Sequence, residues 1–296
     1  KITGTNGFYA MKAHWSEHPD RDEAWADAER ARIGEERFRR EHECEFLIFD
    51  ETLISSLTLA DMEGTTPVET TGQVRWFKRP TPGHTYMVSL DPSMGTGGDF
   101  AAIQIFELPT FEQIGEWHHN MTPMNQQVRI LQGINKHIHD TIMEKDASAT
   151  PQIFYSMENN TIGEAALMRV MDIGEENIMG MFLSEPIRKG HRRKFRRGFN
   201  TTAKHKIDAC TKFKELVEGG KMKINSQLLI SEMKDFVATG LSYKAKPGQH
   251  DDLVSACLLM TRMMKVLADF DPKIFEKWTD RTSEVTPMPI FGSFTG

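Results

Sequence analysis

The order of apolar segments predicts an α/β fold with a mixed central sheet and helices on its faces. Three observations carry that expectation. Residues 86–90 and 101–106 are apolar runs of strand length joined by the turn Gly95-Thr96-Gly97-Gly98, and 113–118 extends them into a three-strand meander. Residues 125–143 then carry Val128, Leu131, Ile134 and Ile138 at helical spacing. An apolar strand over 152–158 and a helix over 165–171 follow, and a meander continued by helix, strand and helix reads as a mixed sheet covered by helices.

Ahead of the sheet, residues 11–42 are charged and helical in character. Trp25, Ala28 and Arg32 share a face by spacing, as do Phe38 and His42, which fits helices packed through a narrow stripe. Composition alone reads this stretch as a solvated helical appendage. Residues 46–49 and 52–54 are short strand candidates. The polar stretch 63–73 and the run Arg79-Pro80-Thr81-Pro82-Gly83 place a domain boundary between Ser56 and Pro82.

Beyond the second helix comes a basic run without an acid, containing Arg188, Lys189, Arg192, Arg193, Lys194, Arg196 and Arg197 with Phe195 and Phe199 among them. Such a run is either a solvated loop or a phosphate-contacting one. Arginines interleaved with aromatics on an acidic background suit phosphate contacts, and Lys204 just downstream joins the candidates. A helix over 202–217 stops at Gly219-Gly220, residues 221–224 form a short strand, and helices follow over 228–236 and 251–264. The tail 269–296, with Pro272, Pro287 and Pro289, is expected to be extended or loosely docked.

The 296 residues suffice for one large domain, or a domain with an appendage, and 39% hydrophobic with 26% charged residues is ordinary for a soluble globular protein. A net charge of −6 does not announce a nucleic-acid binder, yet the field that matters is local and acidic metal ligands themselves lower the total. Cys44, Cys210 and Cys257 are far apart and odd in number, giving neither a zinc spacing nor a disulfide framework, so a reducing intracellular compartment is expected. No apolar run approaches the roughly 18 to 20 residues that span a bilayer, and no signal peptide is visible. The chain begins at Lys1 without an initiator methionine, which reads as a piece of a longer protein.

The chemistry gathers on carboxylates. Asp91 ends the first sheet strand, where burial is costly unless a cation compensates it. Asp99 returns after the glycine turn, Glu158 ends the later strand, and His250-Asp251-Asp252 opens an apolar helix. Taken singly, a strand-end aspartate is more often a capping residue, and Asp251 or Asp252 is an ordinary helix N-cap. Together, Asp91, Glu158 and one of Asp251 or Asp252 supply hard oxygen ligands from separate elements, as magnesium requires. Two such ions would serve phosphodiester hydrolysis, while without metal the like charges would push at least one acid toward protonation.

In this order the residues resemble the nuclease domain of tailed-phage terminase large subunits: Leu90-Asp91, the glycine turn and Asp99, then Glu158-Asn159-Asn160, then His250-Asp251-Asp252-Leu253. Upstream, Phe38-Arg39-Arg40-Glu41-His42 and Thr52-Leu53-Ile54-Ser55-Ser56 resemble the end of that family's ATPase domain and its link to the nuclease. The resemblance implies an RNase H-like fold and a metal-dependent endonuclease acting on double-stranded DNA during genome packaging. It implies residues 1–60 as the end of the ATPase domain, 61–82 as a linker, 83–268 as the nuclease and 269–296 as a tail. Asp91, Glu158 and Asp252 or Asp251 match the family's metal-binding acids for two Mg2+ or Mn2+ ions and Asp99 an accessory acid, while His250 would either orient a phosphate or a ligand acid or cap the helix. It further implies a portal protein and a small terminase subunit as partners, no membrane, and a place in the host cytoplasm docked on the procapsid. No G-x-x-x-x-G-K-[ST] loop is present, so ATP would be used only through another domain. A junction resolvase of similar fold, or a docking module that does not cut, are the alternatives.

Overall fold

The structure, a computed structural model, describes residues 2–3, 9–10, 13–44, 51–186 and 197–270. The strand candidate at 46–49 and nearly all of the tail lie outside them. Two-residue strands β1 (Ile2–Thr3) and β2 (Tyr9–Ala10) pair antiparallel. Helices α1 (Glu23–Ile33) and α2 (Glu35–His42) follow, with Asp22 capping α1 by accepting from the Trp25 N–H at 2.8 Å. They close on a small core of their own, Trp15, Ala26 and Phe38, with Trp25 and Ile33 against it. The stripe expected through Trp25, Ala28 and Arg32 is therefore corrected: Ala28 and Arg32 are exposed. Phe38 and His42 do meet, their rings 5.1 Å apart.

After α3 (Ser56–Asp61) come β3 (Glu69–Thr71), β4 (Val74–Trp76), β5 (Thr85–Asp91), β6 (Ala101–Leu108), β7 (Glu112–His119), α4 (Met124–Lys145), β8 (Gln152–Met157), α5 (Thr161–Ile173) and β9 (Met181–Phe182). The described residues finish with α6 (Ala203–Glu218), α7 (Gln227–Asp235), the hairpin β10 (Phe236–Thr239) and β11 (Ser242–Ala245), and α8 (Asp252–Phe270). Seven strands form one sheet in the order β3-β4-β7-β6-β5-β8-β9. The meander is antiparallel, whereas β8 runs parallel to β5 and β9 parallel to β8, so the sheet is mixed.

Residues 69–76, inside the stretch expected as a linker, are thus two strands of the sheet; their alternation is too short and polar to register as a pattern. Residues 221–224 contribute a single parallel bridge, Glu112 to Lys223, in place of the expected strand. Thr52 likewise bridges Val237.

Alternation along β5 and β8 sorts two cores. Tyr86, Val88 and Leu90 with Ile153, Tyr155 and Met157 face α4 and α5, while Met87 and Phe154 belong to the core beneath α6, α7 and α8. Ser89 and Ser156, on that second face, are buried and spend their hydroxyls on backbone carbonyls, Ala256 O and Leu183 O, each at 2.8 Å. Leu253, Val254, Cys257, Met260 and Met263 of α8 are fully buried. Burying side chains of this size is worth about 1.5–3 kcal/mol each, which pins α8 to the sheet.

A buried polar network braces the other edge. Glu107 and Glu116 are inside the molecule. Lys78 pairs with Glu107 and Glu112, Arg75 Nε donates to Glu116 at 3.1 Å, and Ser226 Oγ donates to Glu116 at 2.6 Å while capping α7. Gln113 accepts from the N–H groups of Asn225 and Ser226, so the start of α7 is bolted to β7.

At the end of β8, Asn160 caps α5 by accepting from Ile162 and Gly163 N–H groups at 3.1 and 2.9 Å. A Cβ at position 163 would overlap the Glu158 carbonyl oxygen. Glycine there lets α5 start directly against the strand end that bears Glu158. Gly163→Ala is expected to cost about 1–3 kcal/mol as an overpacking change. Gly133→Ala, in open space on α4, should instead stabilise by up to about 1 kcal/mol. Thermal melts of the two variants check the contrast.

Candidate active site

The register of β5 and β8 creates the site. Leu90 lies opposite Met157 in the parallel ladder, and the Glu158 N–H donates to the Leu90 carbonyl at 3.1 Å. Asp91 and Glu158 therefore emerge side by side, and period-two alternation puts both on the α8 face. The Glu158 carboxyl lies in the immediate field of Asp91 and accepts from Asn160 Nδ2 at 3.2 Å. They line a cavity of about 140 Å3 shared with Thr201, His205, Lys206, Ser255 and Arg262.

Helix α8 brings the third acidic element. Burial first, then the Glu158, Asp252 and Asp251 charges, hold the Asp91 carboxyl well above the usual carboxylate range. Asp252 is raised to about 6, by burial and then by Asp251, while His250 and the Phe100 N–H oppose the rise and Asp99 adds to it. Asp251 accepts from the Ala245 N–H at 3.2 Å and sits 4.0 Å from Lys206 Nζ. Asp99 is exposed and acts through the field at Asp252. His250 Nδ1 is 3.7 Å from Asp252, and its ring meets Phe100 edge-on at 4.7 Å, with His118 stacked on Phe100 at 4.1 Å.

The donor set is chemically suited to a hard divalent cation: carboxylate oxygens from β5, the end of β8 and the start of α8, mutually repelling when ionised. The carboxyls interact in pairs. Among the described residues, no three His, Cys, Asp or Glu side chains stand pre-arranged around an ion.

Of the basic candidates, Arg188, Lys189, Arg192, Arg193, Lys194 and Arg196 lie outside the described residues. Arg197 pairs with Glu175, and its carbonyl accepts from Asn159 Nδ2 at 2.7 Å. Lys204 is exposed in the first turn of α6. The cations that reach the cavity were not anticipated. Arg262 is held by Glu185, the Asn200 carbonyl at 3.0 Å and Thr201 at 2.9 Å, over the Phe199 ring. Lys206 lies over Phe236 at 5.5 Å. Asp251, Ser255, Leu258 and Arg262 follow one helical stripe, a spacing from which Ser255 and Arg262 were readable.

Glu232 of α7 was also missed, and no local pattern marks it. Its Oε2 accepts from the N–H groups of Leu253 and Val254 at 2.8 and 3.1 Å. Burial, with Asp252 and Asp251 nearby, raises it to about 9, while burial lowers His118, 3.7 Å from its other oxygen, to about 4.

A family model described as the terminase RNaseH-like domain matches residues 88–263. The chain belongs to that family. Among solved structures, the large terminase nuclease from thermophilic phage G20c with bound magnesium superposes on this terminase domain at a TM-score of 0.53. It is 17% identical, over 72% of this chain and 97% of its own. The cobalt-bound form of the same nuclease gives the same values. At that identity the likeness establishes the RNase H-like fold. Among the described residues no helix is long and apolar enough to cross a membrane.

The raised acids fix the sign of a pH effect. Between the ordinary glutamate value of 4.5 and about 9, folded Glu232 holds a proton that the unfolded chain releases, and Asp252 does so between 3.8 and about 6. Stability contributed this way is complete at low pH and is lost as pH rises. In EDTA, Tm should fall by at least about 3 °C between pH 5 and pH 8, near 1 kcal/mol for a domain of this size. Glu232→Gln should flatten most of that slope in melts across the same range.

Proposed function

We propose that this terminase domain is the metal-dependent endonuclease of a large subunit, cutting concatemeric double-stranded viral DNA during packaging. The observation that carries the reading is the side-by-side emergence of Asp91 and Glu158 on the face covered by α8, with Asp252 in their field. The G20c nuclease was solved with magnesium and with cobalt, which supports a divalent ion here.

Asp91 would hold both of two Mg2+ or Mn2+ ions, Glu158 one of them and Asp252 the other. Bound metal would supply charge to ionise an attacking water and to neutralise the leaving oxygen. Asp252 is the better third ligand, because Asp251 is engaged by the Ala245 N–H and Lys206. Asp99 and His250 would shape the field around Asp252. Lys206 and Arg262 face the acids across the cavity and would meet the phosphodiester backbone. Lys204, Arg197 and the basic stretch Arg188, Lys189, Arg192, Arg193, Lys194 and Arg196 would extend that contact along the duplex. ATP use would belong to another domain, and a portal protein, a small subunit and transient docking on the procapsid in the host cytoplasm complete the assembly proposed.

Plasmid cleavage with magnesium, manganese or EDTA tests the reading. Nicking and linearisation should require metal and fall at least about 1,000-fold in Asp91→Asn. In EDTA the same variant should melt higher, by up to about 1 kcal/mol, because it removes one of several repelling acids. Cleavage of branched DNA alone would favour a resolvase, and no cleavage by wild type would favour a docking module. Replacing Arg192 and Arg193 should flatten the salt dependence of DNA binding by about one unit of log–log slope each. An unchanged slope would remove the basic stretch from the DNA site.

A further inference from the structure

The two aspartates at the start of α8 do not do the task their position predicts. An N-cap side chain satisfies the N–H groups of the second and third helical residues. Those are Leu253 and Val254, and both donate to Glu232 Oε2, from α7. Asp251 turns instead to the Ala245 N–H in β11, and Asp252 lies 3.7 Å from His250 Nδ1. Glu232 is nearly buried, 10% exposed, and α7 that carries it is bolted to β7 through Ser226 and Asn225. A distant, rigidly mounted carboxyl thus satisfies the helix end, and neither neighbouring aspartate is needed for the cap.

We propose that Glu232 is a positioning residue for the metal site: by capping α8 from outside, it frees the Asp251–Asp252 pair and fixes the direction in which Asp252 faces Asp91 and Glu158. This rests on the metal-nuclease reading above. The reach of the side chain carries the role, because one oxygen must accept two N–H groups across the gap between α7 and α8. An amide oxygen on a side chain of the same length does this, whereas a carboxylate one methylene shorter does not.

Manganese binding by calorimetry, in the whole chain and without DNA, separates the possibilities. Glu232→Asp keeps the carboxyl and loses the reach; affinity should fall 10- to 100-fold, the usual effect of losing an outer partner. Glu232→Gln keeps the reach and, like the protonated acid, carries no charge; affinity should stay within about threefold of wild type. Hydrogen exchange in the Gln variant should show the Leu253 and Val254 amides protected as in wild type. Binding by the Asp variant equal to wild type would overturn the proposal, as would a Gln variant weakened like Asp or with those amides unprotected. Wild-type protein that binds no manganese would overturn the nuclease reading itself, and this inference with it.

Discussion

Two carboxyls placed side by side at the ends of adjacent parallel strands are the constraint on which the rest of the molecule depends. The β5–β8 register fixes Asp91 and Glu158 to one face, and among the described residues neither has a direct cation partner. Like charges at such separation cost free energy, so the surroundings must hold them by other means. Ser89 and Ser156, just behind the two acids on the same face, are tied to α8 and to the segment after β9. Gly163 lets α5 crowd the Glu158 backbone from the opposite side. The strand ends are therefore gripped at the backbone, and the repulsion is expressed in the raised proton affinity of Asp91.

The two faces of the sheet divide the labour. One carries α4 and α5 over a continuous apolar core and contributes no side chain to the cavity beyond the strand ends. The other carries α6, α7 and α8, whose apolar sides complete the second core while Lys206, Ser255 and Arg262 open into the cavity. The same helices thus pack the domain and furnish the site. This explains why α8 is so thoroughly buried near its acidic start: a helix held by many apolar contacts keeps its terminal carboxylates in register with the strands.

Much of this was legible because strong periodicity survives tertiary context. The strands around Asp91, the long amphipathic α4 and the apolar α8 follow their sequence patterns closely, and the order of their acids carried the family resemblance. What escaped reading was short or non-local. β3 and β4 take their stability from pairing with β7 and have no apolar run of their own. Ala26 faces the small aromatic core where spacing had favoured Ala28, because Trp15 arrives from outside the helix. Arg262 sat in a readable stripe from Asp251, but Glu232 acts across 21 positions of sequence, and only the fold brings it to the helix it caps.

The network joining Lys78, Glu107, Glu112, Arg75, Glu116 and Ser226 has a consequence for ionic strength. At physiological salt, charges exposed to solvent are screened beyond about 8 Å, but buried pairs are screened far less. Glu107 and Glu116 are buried, so the brace that holds α7, and through it the start of α8, is shielded from dissolved ions. Surface lysines and arginines that meet a polyanion have no such shelter. On the proposed function, rising salt should loosen the grip on DNA long before it disturbs the frame of the carboxylates, so a duplex would leave while the carboxylate cluster stays assembled.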